Sequence, residues 1–270
     1  MKAKDPKSAG EMTEPVLLRE DRAGLTTLTL NRPRQLNAIN SQLINELQTT
    51  FESIAHSPDV RVVILAGLGS AFSPGHDLKE MMANRSEAFV SGLFNRCSNL
   101  MLMMARLPQP VVARVQGIAT AAGCQIVAAC DMAVASTDAR FATSGINFGL
   151  FCATPGVAVS RNISRKRAFE MLFTGEFIDA QTAMQWGLVN RVVPPNRLDE
   201  EIETIARSII EKPAAVIAAG KKLFYEQLES SMSQAYKLAS NSITQNMLGP
   251  DAAEGIGAFL EKRKPKWSDG

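Results

Sequence analysis

The stretch that decides the fold is Val111–Gln125, VVARVQGIATAAGCQ. Val111-Val112-Ala113-Arg114-Val115 is a β-branched apolar run of the kind that fills a strand buried on both faces. Gln116 to Ala121 turns the chain at Gly117. From Ala122 to about Cys130 the residues are mostly small, which predicts a helix able to approach its neighbours closely. The same grammar recurs on either side. Arg61 to Ala66 reads as a buried strand, Gly67 to Pro74 as a loop, and Asp77 as the N-cap of a following helix. Met132-Ala133-Val134-Ala135 reads as a further strand. Strands alternating with helices imply a parallel-rich α/β core with repeated crossovers.

Further out, Val16 to Leu30 reads as a hairpin turning at Asp21-Arg22-Ala23-Gly24 and stopped by Asn31-Arg32-Pro33. Asn40 or Ser41 caps a helix with Leu43, Ile44, Leu47, Phe51 and Ile54 on one face. Another helix presents Phe89, Leu93, Leu100, Met103 and Met104 and ends at Pro108 and Pro110; its methionines read as core filling. After Pro194-Pro195 the character changes. Leu198 to Glu211, Ala214 to Leu228 and Ser231 to Leu248 predict three helices, and Ala252 to Lys264 a shorter one. The organisation expected is a disordered tail over 1–15, a layered core over 16–197 and a helical region over 198–270.

Composition narrows the function classes. The 270 residues carry a formal net charge of +2, and no basic stripe alternates with aromatics, so a nucleic-acid partner is not expected. Met1 to Pro15 is polar and lacks the apolar core of a signal peptide, and no run of eighteen apolar residues exists. No membrane association is expected, and a cytoplasmic address follows by default. Cys97, Cys124, Cys130 and Cys152 have no metal-binding spacing and read as buried free thiols. With His56 and His76 the only imidazoles, no metal site is expected.

Two segments carry candidate chemistry: Ser70–Glu80, SAFSPGHDLKE, and Gln116–Gln125, QGIATAAGCQ. In each, a strand delivers a glycine-containing turn and a helix begins. Such turns leave backbone N–H groups outside the secondary-structure ladders, and a helix start adds a partial positive charge. Two such donors aimed at one point would form an oxyanion hole. Either segment alone is equally the mark of an ordinary connection.

Many ordered motifs here match one family. They include Leu30-Asn31-Arg32-Pro33 with Asn37-Ala38-Ile39, Ala71-Phe72 with Gly75-His76-Asp77-Leu78-Lys79, and Val115-Gln116-Gly117 with Ala122-Gly123-Cys124. They continue through Cys130-Asp131, Phe141-Ala142, Pro155-Gly156, Leu172-Phe173-Thr174-Gly175, Trp186-Gly187-Leu188-Val189 and Phe259-Leu260-Glu261-Lys262-Arg263. From Val16 to Trp267 the chain resembles the crotonase, or enoyl-CoA hydratase/isomerase, family. The resemblance implies an α/β spiral of ββα units with a helical C-terminal trimerisation region, assembled as a homotrimer or a dimer of trimers. It implies an acyl-coenzyme A thioester as substrate and no separate cofactor. It assigns the oxyanion donors to the N–H groups of His76 and Ala122. It also implies a CoA groove lined by Arg34, Leu36, Ala38, Pro74, Gly75, Asp77, Leu78, Lys79 and Gly123, with Phe259 and Lys262 reaching a neighbouring subunit's CoA.

The sequence departs from that family at the acid/base positions. The two glutamates of its hydratases fall here on Gln125 and Gly145, and positions used by other relatives fall on Asn147 and Ala153. General acid–base catalysis typically contributes about 10²–10⁴ in rate, so ordinary hydration is expected to be weak. His76 is a replacement candidate through its imidazole, or else an exposed loop histidine beside CoA. Cys124 and Cys152 are weaker candidates as nucleophiles. Ser144, Asn147 and Thr154 can hold a water or a polar acyl group. The readings that stay open are a hydratase-like lyase, an acyl-CoA-binding protein that has lost catalysis, and a thioester hydrolase or decarboxylase.

Overall fold

A computed structural model describes residues 14–268. The expected disordered tail lies almost wholly outside the described residues, apart from its last two. Of those, Pro15 is tied to the fold, its carbonyl accepting from Asn31 Nδ2 at 2.8 Å.

The chain opens with the hairpin β1 (Leu17–Arg22) and β2 (Leu25–Leu30). Next comes α1 (Ser41–Ala55), capped by Asn40, whose side chain accepts from Leu43 N; its buried face is Leu43, Ile44, Leu47, Phe51 and Ile54. Then follow β3 (Val62–Gly67), β4 (Ala71–Ser73), α2 (Leu78–Ala83) and α3 (Glu87–Arg106). The centre holds β5 (Val111–Val115), β6 (Ile118–Thr120), α4 (Ala122–Ala129), β7 (Met132–Ser136) and β8 (Arg140–Ala142). After these come α5 (Ala153–Val159), α6 (Arg165–Thr174), β9 (Ile178–Asp179), α7 (Ala180–Trp186) and β10 (Arg191–Val193). The chain ends with α8 (Leu198–Ile210), α9 (Ala214–Leu228), α10 (Met232–Leu248) and α11 (Pro250–Leu260).

The strands sort into two sheets. One has six strands in the order β1-β2-β3-β5-β7-β10, the other four in the order β4-β6-β8-β9. The pairs β3/β4, β5/β6 and β7/β8 each send one strand to either sheet, so the chain advances as a spiral. All pairings inside both sheets are parallel except β1 with β2 and β8 with β9.

Two expectations need correction here. Gly67 to Pro74 is not all loop, and Gln116 to Ala121 is not all turn, because β4 and β6 lie inside them. Each strand has three residues flanked by Gly or Ser, too short to show a period-two pattern. Each exists because a neighbouring strand supplies its hydrogen bonds. The final helix also ends at Leu260, short of Lys264, and Lys262 takes a positive φ of 55° just beyond it.

The main core lies between the sheets and α1, α3, α4 and α7, with Phe51, Phe72 and Phe141 among its largest buried side chains. On the other face of the large sheet, Leu198, Ile202, Ile205 and Ala206 of α8 cover Val62, Ile64, Val112 and Val134. The helix α9 is anchored by Lys221 and Tyr225, which both bond the Asp131 carboxylate. All four cysteines are buried and free.

Candidate active site

The small sheet gathers the candidate residues. Its strands β4, β6 and β8 are adjacent and parallel, so their C-terminal ends lie side by side. The chain leaves β4 into Pro74-Gly75-His76-Asp77, β6 into Ala121-Ala122-Gly123, and β8 into Thr143-Ser144-Gly145. Three segments far apart in the chain thus meet at one edge. The carboxyl ends of parallel strands are where α/β proteins place ligands.

The path of the first segment is fixed by Ile39. Its N–H donates to Gly75 O at 2.8 Å, and its carbonyl accepts from Asp77 N at 2.9 Å. This is a one-residue parallel bridge centred on His76. Successive N–H groups in such extended chain point to opposite sides. The His76 N–H therefore points away from Ile39. Gly75 has φ +98°, and a Cβ built on it would lie 2.9 Å from Ala121 Cβ and 3.0 Å from Ala122 N. Only glycine allows this approach. Among the described residues, neither the His76 nor the Ala122 N–H donates to a protein acceptor.

The second segment is strained where it matters. Ala121 has φ +50° and ψ −120°, an unusual conformation for a residue with a Cβ. Such strain costs roughly 1–3 kcal/mol and must be held in place by its surroundings. Here the Ala121 N–H is bonded to Ala142 O at 3.1 Å, tying it to β8. The turn ends at Ala122, the first residue of α4, whose N–H has no partner within its own helix. Gly123 lets this helix start press onto β4, since a Cβ there would lie 2.1 Å from Ser73 O.

The loop 33–38 is held against this edge by side chains. Asn37 takes φ +64°, donates to Leu68 O at 2.9 Å and Ala71 O at 2.8 Å, and accepts from Arg32 N at 3.0 Å. Ser73 Oγ donates to Asn37 O at 2.9 Å. Arg32 bonds the Ala38 carbonyl and pairs with Asp77 at 3.0 Å. The Asp77 carboxylate also caps α2, accepting from Lys79 N and Glu80 N. Burial pushes its pKa up, but Arg32 and the helix N–H groups outweigh that and leave it low. With its carboxylate spent this way, Asp77 sets the loop's shape. Arg34, Leu36, Leu78 and Lys79 are exposed around the loop.

His76 is not the exposed loop histidine that one reading expected. Its ring lies edge-on to Phe94 of α3, with centroids 5.2 Å apart, beside the Ile39 backbone, and both ring nitrogens are shielded from the surface. Desolvation lowers its pKa below the ordinary value, so the ring is neutral at neutral pH. Gln125, one turn into α4, is 3% exposed and its Oε1 has no partner. Gly145 sits in a 3-10 turn, Ser144–Phe148, beneath the segment leading to α5. A Cβ at this position would meet Leu150 O at 2.5 Å and Cys152 Sγ at 2.8 Å. The thiol thus fills the space into which a side chain at 145 would extend. Burial raises the pKa of Cys152, and that of Cys124 to about 12, so both are protonated and poor nucleophiles.

Sequence reasoning missed two features. Thr120 Oγ1 and Ser144 Oγ lie 2.7 Å apart, joining the ends of β6 and β8. The contact of Cys152 with Gly145 was also invisible. Both join residues far apart in the chain and carry no local signal. Two predicted residues are not gathered at this edge by anything observed. Phe259, 81% exposed, lies at the end of α11, which packs on α10, and Lys262 follows just beyond it; further on, Trp267 Nε1 donates to Glu211 O.

The family model for enoyl-CoA hydratase/isomerase matches residues 20–270. The chain belongs to that family. It is 45% identical over 254 residues to the mitochondrial enoyl-CoA hydratase domain-containing protein 3 of Xenopus laevis, covering 94% of this chain and 86% of that one. The solved structure of an enoyl-CoA hydratase from Mycobacterium smegmatis superposes with a TM-score of 0.93 at 55% identity, covering 94% of this chain and 99% of the other. Human enoyl-CoA hydratase domain-containing protein 3 superposes with a TM-score of 0.91 at 44% identity, covering 93% of this chain and 100% of the other. The crotonase spiral expected from the sequence is therefore the fold observed. The cytoplasmic address is corrected, because the vertebrate relatives are named as mitochondrial. That address rested only on a missing signal-peptide pattern, which does not discriminate among compartments.

The present backbone has no room for a side chain at 145. Gly145→Glu is expected to destabilise the fold by about 1–3 kcal/mol through overpacking and to leave crotonyl-CoA hydration no faster. A urea melt and a hydration assay on the variant check both parts.

Proposed function

We propose that this protein binds an acyl-coenzyme A thioester and polarises its carbonyl between the N–H groups of His76 and Ala122. One observation carries the reading: two N–H groups without protein acceptors, on adjacent strand ends of one parallel sheet, brought together by a glycine that only the absence of a Cβ permits. When the α-carbon loses a proton, or the β-carbon is attacked, negative charge grows on the thioester oxygen. Donors already aimed at that oxygen stabilise the charge without reorganising. No separate cofactor is needed, since the thioester carries its own activation.

The adenosine end of CoA is proposed to lie along Arg34, Leu36 and Ala38 and along Pro74 to Lys79, with Lys79 facing a phosphate. Phe259 and Lys262 would complete this groove from a neighbouring copy in a homotrimer or a dimer of trimers. Exposed apolar side chains support such an assembly: Phe169 and Phe173 stack at 3.9 Å on one face, while Tyr236, Ile243 and Met247 stand out from α10.

Gln125 and the closed position at Gly145 favour a second reading, in which acyl-CoA binding survives and hydration does not. Calorimetry with crotonyl-CoA and butyryl-CoA tests the shared premise. Saturable binding that exceeds that of free CoA is expected; equal affinity for CoA and its thioesters would remove the role of the acyl carbonyl. Turnover of crotonyl-CoA then separates an enzyme from a binder.

A further inference from the structure

We propose that Arg32 is a positioning residue for this site, its guanidinium fixing the direction in which the His76 N–H points. This rests on the reading of the His76 and Ala122 N–H groups as donors to the thioester oxygen.

The His76 peptide hangs on very little pairing of its own. Ile39 gives it two hydrogen bonds, N–H to Gly75 O at 2.8 Å and carbonyl from Asp77 N at 2.9 Å. These make an isolated bridge outside every named strand. A residue inside a sheet has further rungs above and below it, and this one has none. Each hydrogen bond adds only modestly to stability in water. A donor's strength also falls steeply once it tilts away from its acceptor. A site that depends on the aim of this N–H therefore requires a further tie between the two segments.

Arg32 supplies that tie. Its Nη1 donates to the Ala38 carbonyl and its Nη2 to Asp77 Oδ2 at 3.0 Å. Ala38 precedes Ile39 in one segment, and Asp77 follows His76 in the other. One planar fork thus grips both sides of the bridge, and its rigid geometry sets their spacing. The Arg32 and Asp77 side chains are each 14% exposed, so solvent and salt screen the pair weakly.

Both ends of the clamp are anchored. The Arg32 N–H donates to Asn37 Oδ1 at 3.0 Å, and its carbonyl accepts from Asn37 N at 2.9 Å. Asn37 in turn donates to the carbonyl of Ala71, the first residue of β4. At the other end, Asp77 accepts from Lys79 N and Glu80 N at the start of α2. With its fork engaged on both sides, Arg32 is not free to meet a CoA phosphate. It acts on the ligand through the backbone of His76.

Infrared difference spectroscopy of butyryl-CoA carrying 13C in its thioester carbonyl tests this. Spectra are read with the ligand fully bound, so a change in affinity does not enter. Wild-type protein is expected to move the carbonyl band to lower wavenumber than in water. Two variants are compared with it: Arg32→Lys, which keeps the charge and loses the fork, and Arg32→Met combined with Asp77→Asn, which leaves no unpaired ion. In each, one of the two donors is misaimed, so about half of the wild-type displacement is expected to remain. If Arg32 merely stabilises the loop, folded variants melt earlier and give the wild-type band; that result in either variant would overturn the proposal. A wild-type protein that binds butyryl-CoA and leaves the band where it lies in water would instead remove the oxyanion reading itself.

Discussion

Ala122→Pro lowers the rate of any reaction that passes through a thioester enolate by about 10²–10³, the usual loss for one oxyanion donor. The substitution removes the N–H and puts a ring carbon in its place, beside Gly75 and after the strained Ala121. Proline is tolerated at the first position of a helix, where the N–H has no intrahelical partner to lose, and Ala122 is the first residue of α4. The helix is therefore expected to form, and far-UV circular dichroism should match the parent. The ring carbon also crowds the proposed place of the carbonyl oxygen, so butyryl-CoA affinity is expected to fall along with the rate. A variant that folds, binds and exchanges α-protons at the parent rate would remove Ala122 from the site. Calorimetry and NMR exchange on the same preparation provide both numbers.

Lys221→Met is expected to cost about 3–5 kcal/mol of stability, the usual penalty for stranding a buried charge. Lys221 Nζ donates to Asp131 at 2.6 Å, to Met104 O at 2.9 Å and to Gln109 O at 3.0 Å. Its side chain is 6% exposed and that of Asp131 is 15% exposed. The carboxylate also accepts from Tyr225 OH at 2.7 Å and Val111 N at 2.6 Å, so it links α9 to the strand β5. Desolvation pulls the Lys221 pKa down and Asp131 pulls it back, which marks an ammonium held inside by its partner. Methionine keeps the apolar stem and removes the charge, leaving Asp131 unpaired. Adding Asp131→Asn should recover part of the loss, because the double variant buries no lone ion. Urea denaturation of the single and double variants measures the difference. Equal stability of Lys221→Met and the parent would show that water already reaches this pair.

The helices were legible because each repeats over several turns. Asn40 as cap, with Leu43, Leu47, Phe51 and Ile54 on one face, gives α1 from spacing alone. The strands β3 and β5 show as β-branched runs buried on both faces. The strands of the small sheet did not show. β4, β6 and β8 have three residues each, and a three-residue segment has no period to read. They are stabilised by hydrogen bonds from segments tens of residues away. The candidate site hangs on those strands, so its parts could be recognised by likeness to the family before their convergence could be derived.

Sequence by itself determined the α/β class, the hairpin, the main helices and the family. Those follow from residue type and local repetition, which the chain carries wherever it folds. Tertiary structure alone decided that the segments after β4, β6 and β8 share one edge. It alone decided that Cys152 closes the space beside Gly145, and that the His76 ring nitrogens are shielded from the surface. Each of these is a contact between residues distant in the chain. Such contacts are set by how sheets and helices pack, and no local pattern encodes them.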